Sequence, residues 1–447
     1  MKYVVQNFKG RYREIILGPL FKLLEAILEL LVPLVMANII DVGIKNGDTA
    51  YILRNGLLMV LLGVLGIISA LICQYYAALA GGHFGKNLRG QLYRHIMKFS
   101  EQETARFGSG ALITRLTNDT NQIQAGVNMA IRLGSRVPFL AVGSIVMAIA
   151  LNWKIGLVFL VSTPLIAVAL YFIMKRTVHH YQEIQAGQDR LSQLAGENLE
   201  GARVIRGFSR QQQEKQEFEQ AAGSLTDLTV RVGKISATLN PLTNVIVNIA
   251  IVAIVWLGAD FAFRGTVLPG EIIALVSYMN QTLLALVVAA NLIVLFTRAV
   301  ASTRRVAEVL DTQPAITDGP GAQPKEDAPA IEFENVDFFY HEGAEKALEN
   351  ISFYVLKGQT IGIIGGTGSG KTTIVNLIMR NFDIASGAIL VKGINVKQYT
   401  LHQLRRQIGL VPQAAAIFSG TVRENLRISK ESATDEELWQ ALETAQA

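Results

Sequence analysis

Six apolar stretches, near residues 16–38, 56–80, 137–151, 155–174, 242–263 and 271–296, set the terms on which this chain can fold. Each approaches the roughly 20 residues that a helix needs to cross the hydrocarbon core of a bilayer. Hydrocarbon offers no water to satisfy backbone N–H and C=O groups, so such runs must be helical there. A buried soluble core is the alternative, but six runs exceed what one globular domain uses. Charged residues make up only 17% of the chain, against about 25% in ordinary soluble domains. Most of that depletion lies before residue 300. The expectation is an all-α domain of six transmembrane spans, the third and fourth joined by Asn152-Trp153-Lys154 as a hairpin with its tip at an interface. The first stretch is expected to remain as a span, since no small-residue cleavage site followed by a soluble domain appears. Cys73, the sole cysteine, falls within the second stretch, which excludes an intrachain disulfide and makes it a small apolar residue.

A second feature follows the spans. Gly365-Gly366-Thr367-Gly368-Ser369-Gly370-Lys371-Thr372-Thr373 fits G-x-x-x-x-G-K-[ST]. Apolar residues from Thr360 to Ile364 offer a strand before it, and Ile374 to Met379 a helix after it. Glycines let the backbone curl until its N–H groups face phosphates, and the helix N-terminus adds favourable partial charge. Lys371 would reach the β- and γ-phosphates, and the Thr372 hydroxyl a Mg²⁺ ion. The pattern therefore predicts a nucleoside triphosphate site, a glycine-rich turn without chemistry being the alternative.

The connections between spans are unequal. Residues 81–136 and 175–241 form long loops rich in charge and in helix formers, whereas 39–55, 152–154 and 264–270 are short. An even number of spans puts the N-terminus, both long loops and the nucleotide site on one side, which must be the cytoplasm, where nucleotide is available. Lys2, Lys9, Arg11 and Arg13 agree with an excess of positive charge on that side. The net charge of +5 fits this membrane bias, and no basic run with interleaved aromatics suggests nucleic acid.

Six spans followed by a P-loop give a chain that resembles, along its whole length, an ABC transporter of the exporter type. The resemblance implies a multidomain fold: a six-helix membrane domain over 1–310, a linker over 311–330, and an incomplete α/β P-loop ATPase domain over 331–447. Arg305-Val306-Ala307-Glu308-Val309-Leu310-Asp311 is similar to the stretch in which such exporters leave the last span, and Pro314, Pro320, Pro324 and Pro329 break the helix beyond it. Tyr340 occupies the place of the family's adenine-stacking aromatic, with a strand-end core tyrosine as the alternative. Gln413, in Leu410-Val411-Pro412-Gln413, matches the glutamine loop, which helps to hold Mg²⁺ and the attacking water. After Gln413 the sequence has no Leu-Ser-Gly-Gly signature, no apolar strand ending in the magnesium-binding aspartate and catalytic glutamate, and no histidine switch. No catalytic residue is assigned. The chain is expected to bind ATP and Mg²⁺ without hydrolysing ATP alone, and to be a fragment of a longer product or a natural non-catalytic form.

The resemblance also assigns the loops. Phe107 to Asp119, with Arg115, resembles the first intracellular loop, and Glu197 to Phe208, with Arg206, the second. Arg115 and Arg206 are thus candidates for coupling the membrane helices to the ATPase domain. Asn240, Asn244 and Asn248 recur every fourth residue on the fifth span, while Ser277, Gln281 and Asn291 roughly share a face of the sixth. Such stripes either bond helices together or line a cavity, and Gln281 and Asn291 are the cavity candidates. Glu29 joins them as a carboxylate within the first span, while Glu25 can pair with Lys22 at the interface. The implied function is ATP-driven export of drugs, lipids or other small amphipathic molecules by a dimer with a second half-transporter, identical or different. The alternatives are an exporter of peptides or lipid-linked molecules and an ATP-binding membrane regulator that moves nothing.

Overall fold

A computed structural model describes residues 12–325, 327–341, 343–413 and 416–446, leaving Lys2, Lys9 and Arg11 of the basic cluster outside the described residues. The chain forms two compact units: Met1–Lys98 with Phe107–Gln313, and Phe99–Arg106 with Pro314–Ala447.

In the first unit, six helices are long and apolar enough to cross a membrane: Tyr12–Ile44, Thr49–Ile96, Ser109–Leu151, Trp153–Thr177, Gln211–Phe263 and Pro269–Asp311. Each contains one of the expected spans. In chain order the helices of the fold begin with α1 (Tyr12–Asn38), α2 (Thr49–Ile96), α3 (Glu101–Phe107) and α4 (Ser109–Thr114). A π-helical segment, Arg115–Asp119, leads into α5 (Thr120–Met129), and a second, Ala130–Gly134, precedes α6 (Arg136–Leu151). Then follow α7 (Trp153–Glu200), α8 (Ala202–Gly207), α9 (Gln211–Ala237), α10 (Leu239–Phe263) and α11 (Pro269–Asp311). With 48 residues, α2 extends about 70 Å at 1.5 Å per residue, more than twice a hydrocarbon core of about 30 Å. Its length carries it well beyond the bilayer.

Local sequence sets the ends. The Asn152 side chain caps α7 by accepting from Lys154 N at 3.0 Å and Ile155 N at 3.2 Å, which makes the tight hairpin between spans three and four. Asp48 caps α2 by accepting from Tyr51 N at 2.9 Å. Pro269 opens α11, where its missing N–H costs nothing. The bundle core gathers Ile155, Phe159 and Ile166 of α7, Ile254 of α10, and Leu275, Tyr278 and Met279 of α11. The buried Tyr278 hydroxyl donates to Leu30 O at 2.6 Å, so the ring packs without stranding its polar end. Leu57, Val60, Leu61, Val64, Ile67 and Leu71 of α2 face outward, as lipid-facing residues must.

The first loop, Phe107 to Asp119, is largely helical, and Gly108, at φ +76°, turns the chain between α3 and α4. Residues from Ser109 onward therefore belong to the third-span helix, and the short helix lies earlier, at Glu101–Phe107.

The second unit contains a four-stranded antiparallel sheet, β1 (Ile331–Phe338), β2 (Leu348–Val355), β3 (Ser386–Val391) and β4 (Ile394–Asn395), in the order β2-β1-β3-β4. Phe333 is opposite Phe353 on one side and Ile389 on the other, and the Phe333 and Phe353 rings stack at 4.6 Å. Helix α12 (Lys371–Ile378) covers the sheet through Ile374 and Leu377, and Tyr399 and Leu404 complete the core. The remaining helices are α13 (Leu401–Arg405), α14 (Val422–Leu426) and α15 (Asp435–Ala445). Within this unit the buried Glu103 of α3 accepts from Ser100 N at 2.7 Å and from Ala315 N at 3.1 Å, tying α3 to the start of the proline-rich linker.

One sequence expectation is corrected here. Thr360–Ile364 is not a sheet strand, and Ile364 is 96% exposed. A strand exists through its neighbours, and among the described residues no segment pairs with this one, so its apolar side chains remain uncovered.

Candidate functional site: a phosphate cradle and the membrane-side polar groups

Residues Gly365 to Gly370 curl between the uncovered Thr360–Ile364 segment and the first turn of α12. Gly368 and Gly370 hold φ values of +85° and +87°, a region costly for any residue with a Cβ. A Cβ on Gly370 would also meet Leu348 Cδ2 at 2.6 Å and Ala347 O at 3.0 Å, so glycine is required there twice over. Lys371 folds back across the loop, donating from Nζ to Gly365 O at 2.9 Å, Gly366 O at 2.6 Å and Ser369 Oγ at 3.3 Å. These contacts brace the loop with the one cation it contains, which is half-buried. Thr372 is exposed at the start of α12, whereas Thr373 is buried.

Tyr340 stands next to this loop. Its hydroxyl lies 2.8 Å from Thr373 Oγ1. Its ring meets Phe338 edge-on at 4.9 Å and Phe382 at 5.3 Å, which fixes its plane while leaving the residue 39% exposed. An aromatic face beside a cradle of backbone amides, a lysine and a free threonine hydroxyl fits a purine nucleoside triphosphate with its Mg²⁺. Thr367 is exposed in the same loop. Gln413 lies in the exposed, irregular stretch between α13 and α14.

The membrane-side candidates separate. Glu29 accepts from Arg136 Nη2 at 2.9 Å and 3.1 Å, so a cation from the start of α6 answers its charge. Glu25 pairs with Lys22 at 2.7 Å. The buried Gln281 Oε1 has no hydrogen-bond partner among the described residues, and Asn291 is exposed. Asn240, Asn244 and Asn248 all lie on an exposed face of α10. Arg206 is exposed on α8, and Arg115 donates to Glu308 of α11 at 3.0 Å. Sequence reasoning missed Arg136, Phe382 and the hydroxyl contact between Tyr340 and Thr373. Arg136 could have been found as an arginine four turns from the hairpin tip. Phe382 carries no readable signal, because its role comes from a tertiary contact.

Residues 15–286 match the ABC transporter transmembrane region, and residues 348–447 match the ABC transporter family model. The chain belongs to the ABC transporter family. This transporter is 36% identical over 453 residues to an uncharacterised ABC transporter ATP-binding protein of Mycobacterium tuberculosis, covering 99% of this chain and 77% of the relative. It is 28% identical over 457 residues to a Bacillus subtilis protein whose name carries a provisional multidrug-export assignment, covering all of this chain and 78% of that one. It is also 29% identical over 365 residues to an ATP-dependent lipid A-core flippase of Desulfotalea psychrophila, covering 81% of this chain and 63% of the flippase. The fused membrane and ATP-binding regions make it an exporter-type half-transporter, a multi-pass membrane protein with its ATP-binding domain in the cytoplasm.

Proposed function

We propose that the chain is one subunit of a dimeric exporter that moves small amphipathic molecules, drugs or lipids, across the cytoplasmic membrane at the expense of ATP. The observation that carries this reading is a braced phosphate cradle in the same polypeptide as six membrane spans. The names of the relatives, multidrug export and lipid A-core flipping, support an amphipathic cargo. In this reading residues 1–310 form the membrane domain, 311–330 the linker and 331–447 the ATP-binding part. Tyr340 stacks the base, Gly365, Gly366, Thr367, Gly368, Ser369, Gly370, Lys371 and Thr373 bind the phosphates, and Thr372 and Gln413 hold Mg²⁺. Arg115 and Arg206 serve coupling. Gln281 is the leading cavity residue, because its buried amide oxygen has no hydrogen-bond partner among the described residues; Asn291 and the Glu29 and Arg136 pair are further candidates.

These residues are proposed to bind ATP and Mg²⁺ for that export. The test is ATP-driven uptake of a fluorescent cationic dye and of a labelled phospholipid into inverted vesicles containing the transporter with its partner. Movement of either one supports export. ATP binding with movement of neither, nor of a peptide, identifies a membrane regulator instead.

A further inference from the structure

The base of the sixth span is bonded to the third by two ion pairs of opposite sense. Asp119, 1% exposed at the end of the π-helical segment, accepts from Arg305 Nε at 2.9 Å and from Ser302 Oγ at 2.9 Å. Arg305 Nη2 also bonds the same carboxylate and donates to Ser302 Oγ at 3.0 Å. Four residues before Asp119, Arg115 donates to Glu308 Oε2 at 3.0 Å. The acid and base therefore exchange helices between the two rungs. Arg115 Cζ stands 4.6 Å from the centre of the Phe107 ring, and its other terminal nitrogen is buried with no hydrogen-bond partner among the described residues.

Each helix is built to present these groups. On α11, Ser302, Arg305 and Glu308 are spaced by three and share one face. On the third span Arg115 and Asp119 are four apart in the π-helical segment and so lie on the same side of it. A little above the clamp, a Cβ on Gly126 would stand 2.7 Å from Ala299 Cβ, so the helices approach as closely as a missing side chain permits. A buried carboxylate with two partners is costly to separate, because parting the helices would leave its charge without an answer.

We propose that Asp119, Ser302 and Arg305, with Arg115 and Glu308, are positioning residues that lock the cytoplasmic ends of the third and sixth spans into one rigid body during transport. The clamp makes the last span, from which the chain continues into the linker, move together with the first cytoplasmic loop. This rests on the export reading for its consequence in transport, whereas the lock itself is a property of the membrane unit.

The first measurement is the distance between spin labels on Thr117→Cys and Arg304→Cys, both exposed positions beside the clamp, in a Cys73→Ser background of the whole transporter, with and without Mg·ATP. A distance unchanged to within about 2 Å is expected, and a larger change means that the helices part and overturns the lock. This readout does not depend on cargo, so failure to transport in the parent protein removes the export reading without touching it. The second measurement uses Asp119→Arg, Arg305→Asp and the two together. Each single reversal is expected to lower cargo moved per ATP consumed by about tenfold, within the range of ordinary coupling energies, with ATP affinity unchanged. The double reversal is expected to recover most of that loss. Failure of the double variant to recover any, while it folds and binds ATP as the parent does, overturns the assignment.

Discussion

The Tyr340 hydroxyl and the Thr373 hydroxyl lie 2.8 Å apart, joining the aromatic wall of the nucleotide site to the buried side of the phosphate loop. The tyrosine thus has two separable contributions, a ring face for the base and a polar tip for the loop. Tyr340→Phe keeps the first and removes the second. It is expected to weaken ATP binding by about fivefold, the worth of one hydrogen bond of about 1 kcal/mol. Tyr340→Ala removes both and adds a stacking loss of about 1–3 kcal/mol. Titration with a fluorescent ATP analogue checks both.

The bracing of the loop by Lys371 makes a second expectation. Lys371→Ala removes a charge-assisted contact to phosphate and is expected to weaken ATP binding by roughly 10- to 100-fold, from about 1.5–3 kcal/mol. Gly370→Ala tests shape in place of charge, since its φ of +87° and the nearby Leu348 leave no room for a methyl group. It should both weaken ATP binding and lower the thermal stability of the ATP-binding unit. Calorimetric titration measures the two losses of binding, and differential scanning calorimetry of the unliganded protein should show the larger fall in melting for the glycine change.

Asp337 offers a pH test in the sheet. The Asn350 N–H at 2.8 Å, then Lys346 and Ser386, hold its carboxyl below the ordinary value of 3.8. A carboxylate lowered in the folded state stabilises it above the unfolded value and loses that contribution as pH falls through the folded value. The protection factors of the β1 and β2 amides, corrected for the intrinsic exchange rate, should therefore fall on acidification below about pH 4, and Asp337→Asn should flatten that dependence. The group is exposed, so the expected change is small and is read as a difference between the two proteins.

What could be read from sequence follows the range of the forces involved. The spans were legible because a bilayer imposes its demand on each helix separately, and 16–38 or 271–296 needs no partner to be recognised. The cradle was legible because Gly365 to Thr373 is contiguous and its conformations are local. Thr360–Ile364 was misread because a strand depends on what lies beside it, and apolar composition carries no record of that. The helical character of the first loop was legible from its helix formers, but the turn at Gly108, where a positive φ starts the third-span helix at Ser109, was not. Long-range pairs such as Asp119 with Arg305, 186 residues apart, leave no trace in one sequence.

Glu29 shows the same limit and yields the last prediction. As a lone carboxylate in a membrane helix it would attract cationic cargo, but Arg136 lies at 2.9 Å and the pair is close to neutral. Both side chains are about 30% exposed, at 32% for Glu29 and 27% for Arg136, so the full penalty of a dry ion does not apply. Either Glu29→Gln or Arg136→Gln should cost about 1–2 kcal/mol of stability by leaving the other charge unanswered. The double variant should recover most of that, since the pair is then absent as a unit. Thermal melting in detergent measures this. Transport distinguishes the roles: if the carboxylate recognises cations, Glu29→Gln abolishes dye efflux and the double variant does not restore it, whereas a structural pair predicts that efflux returns with stability.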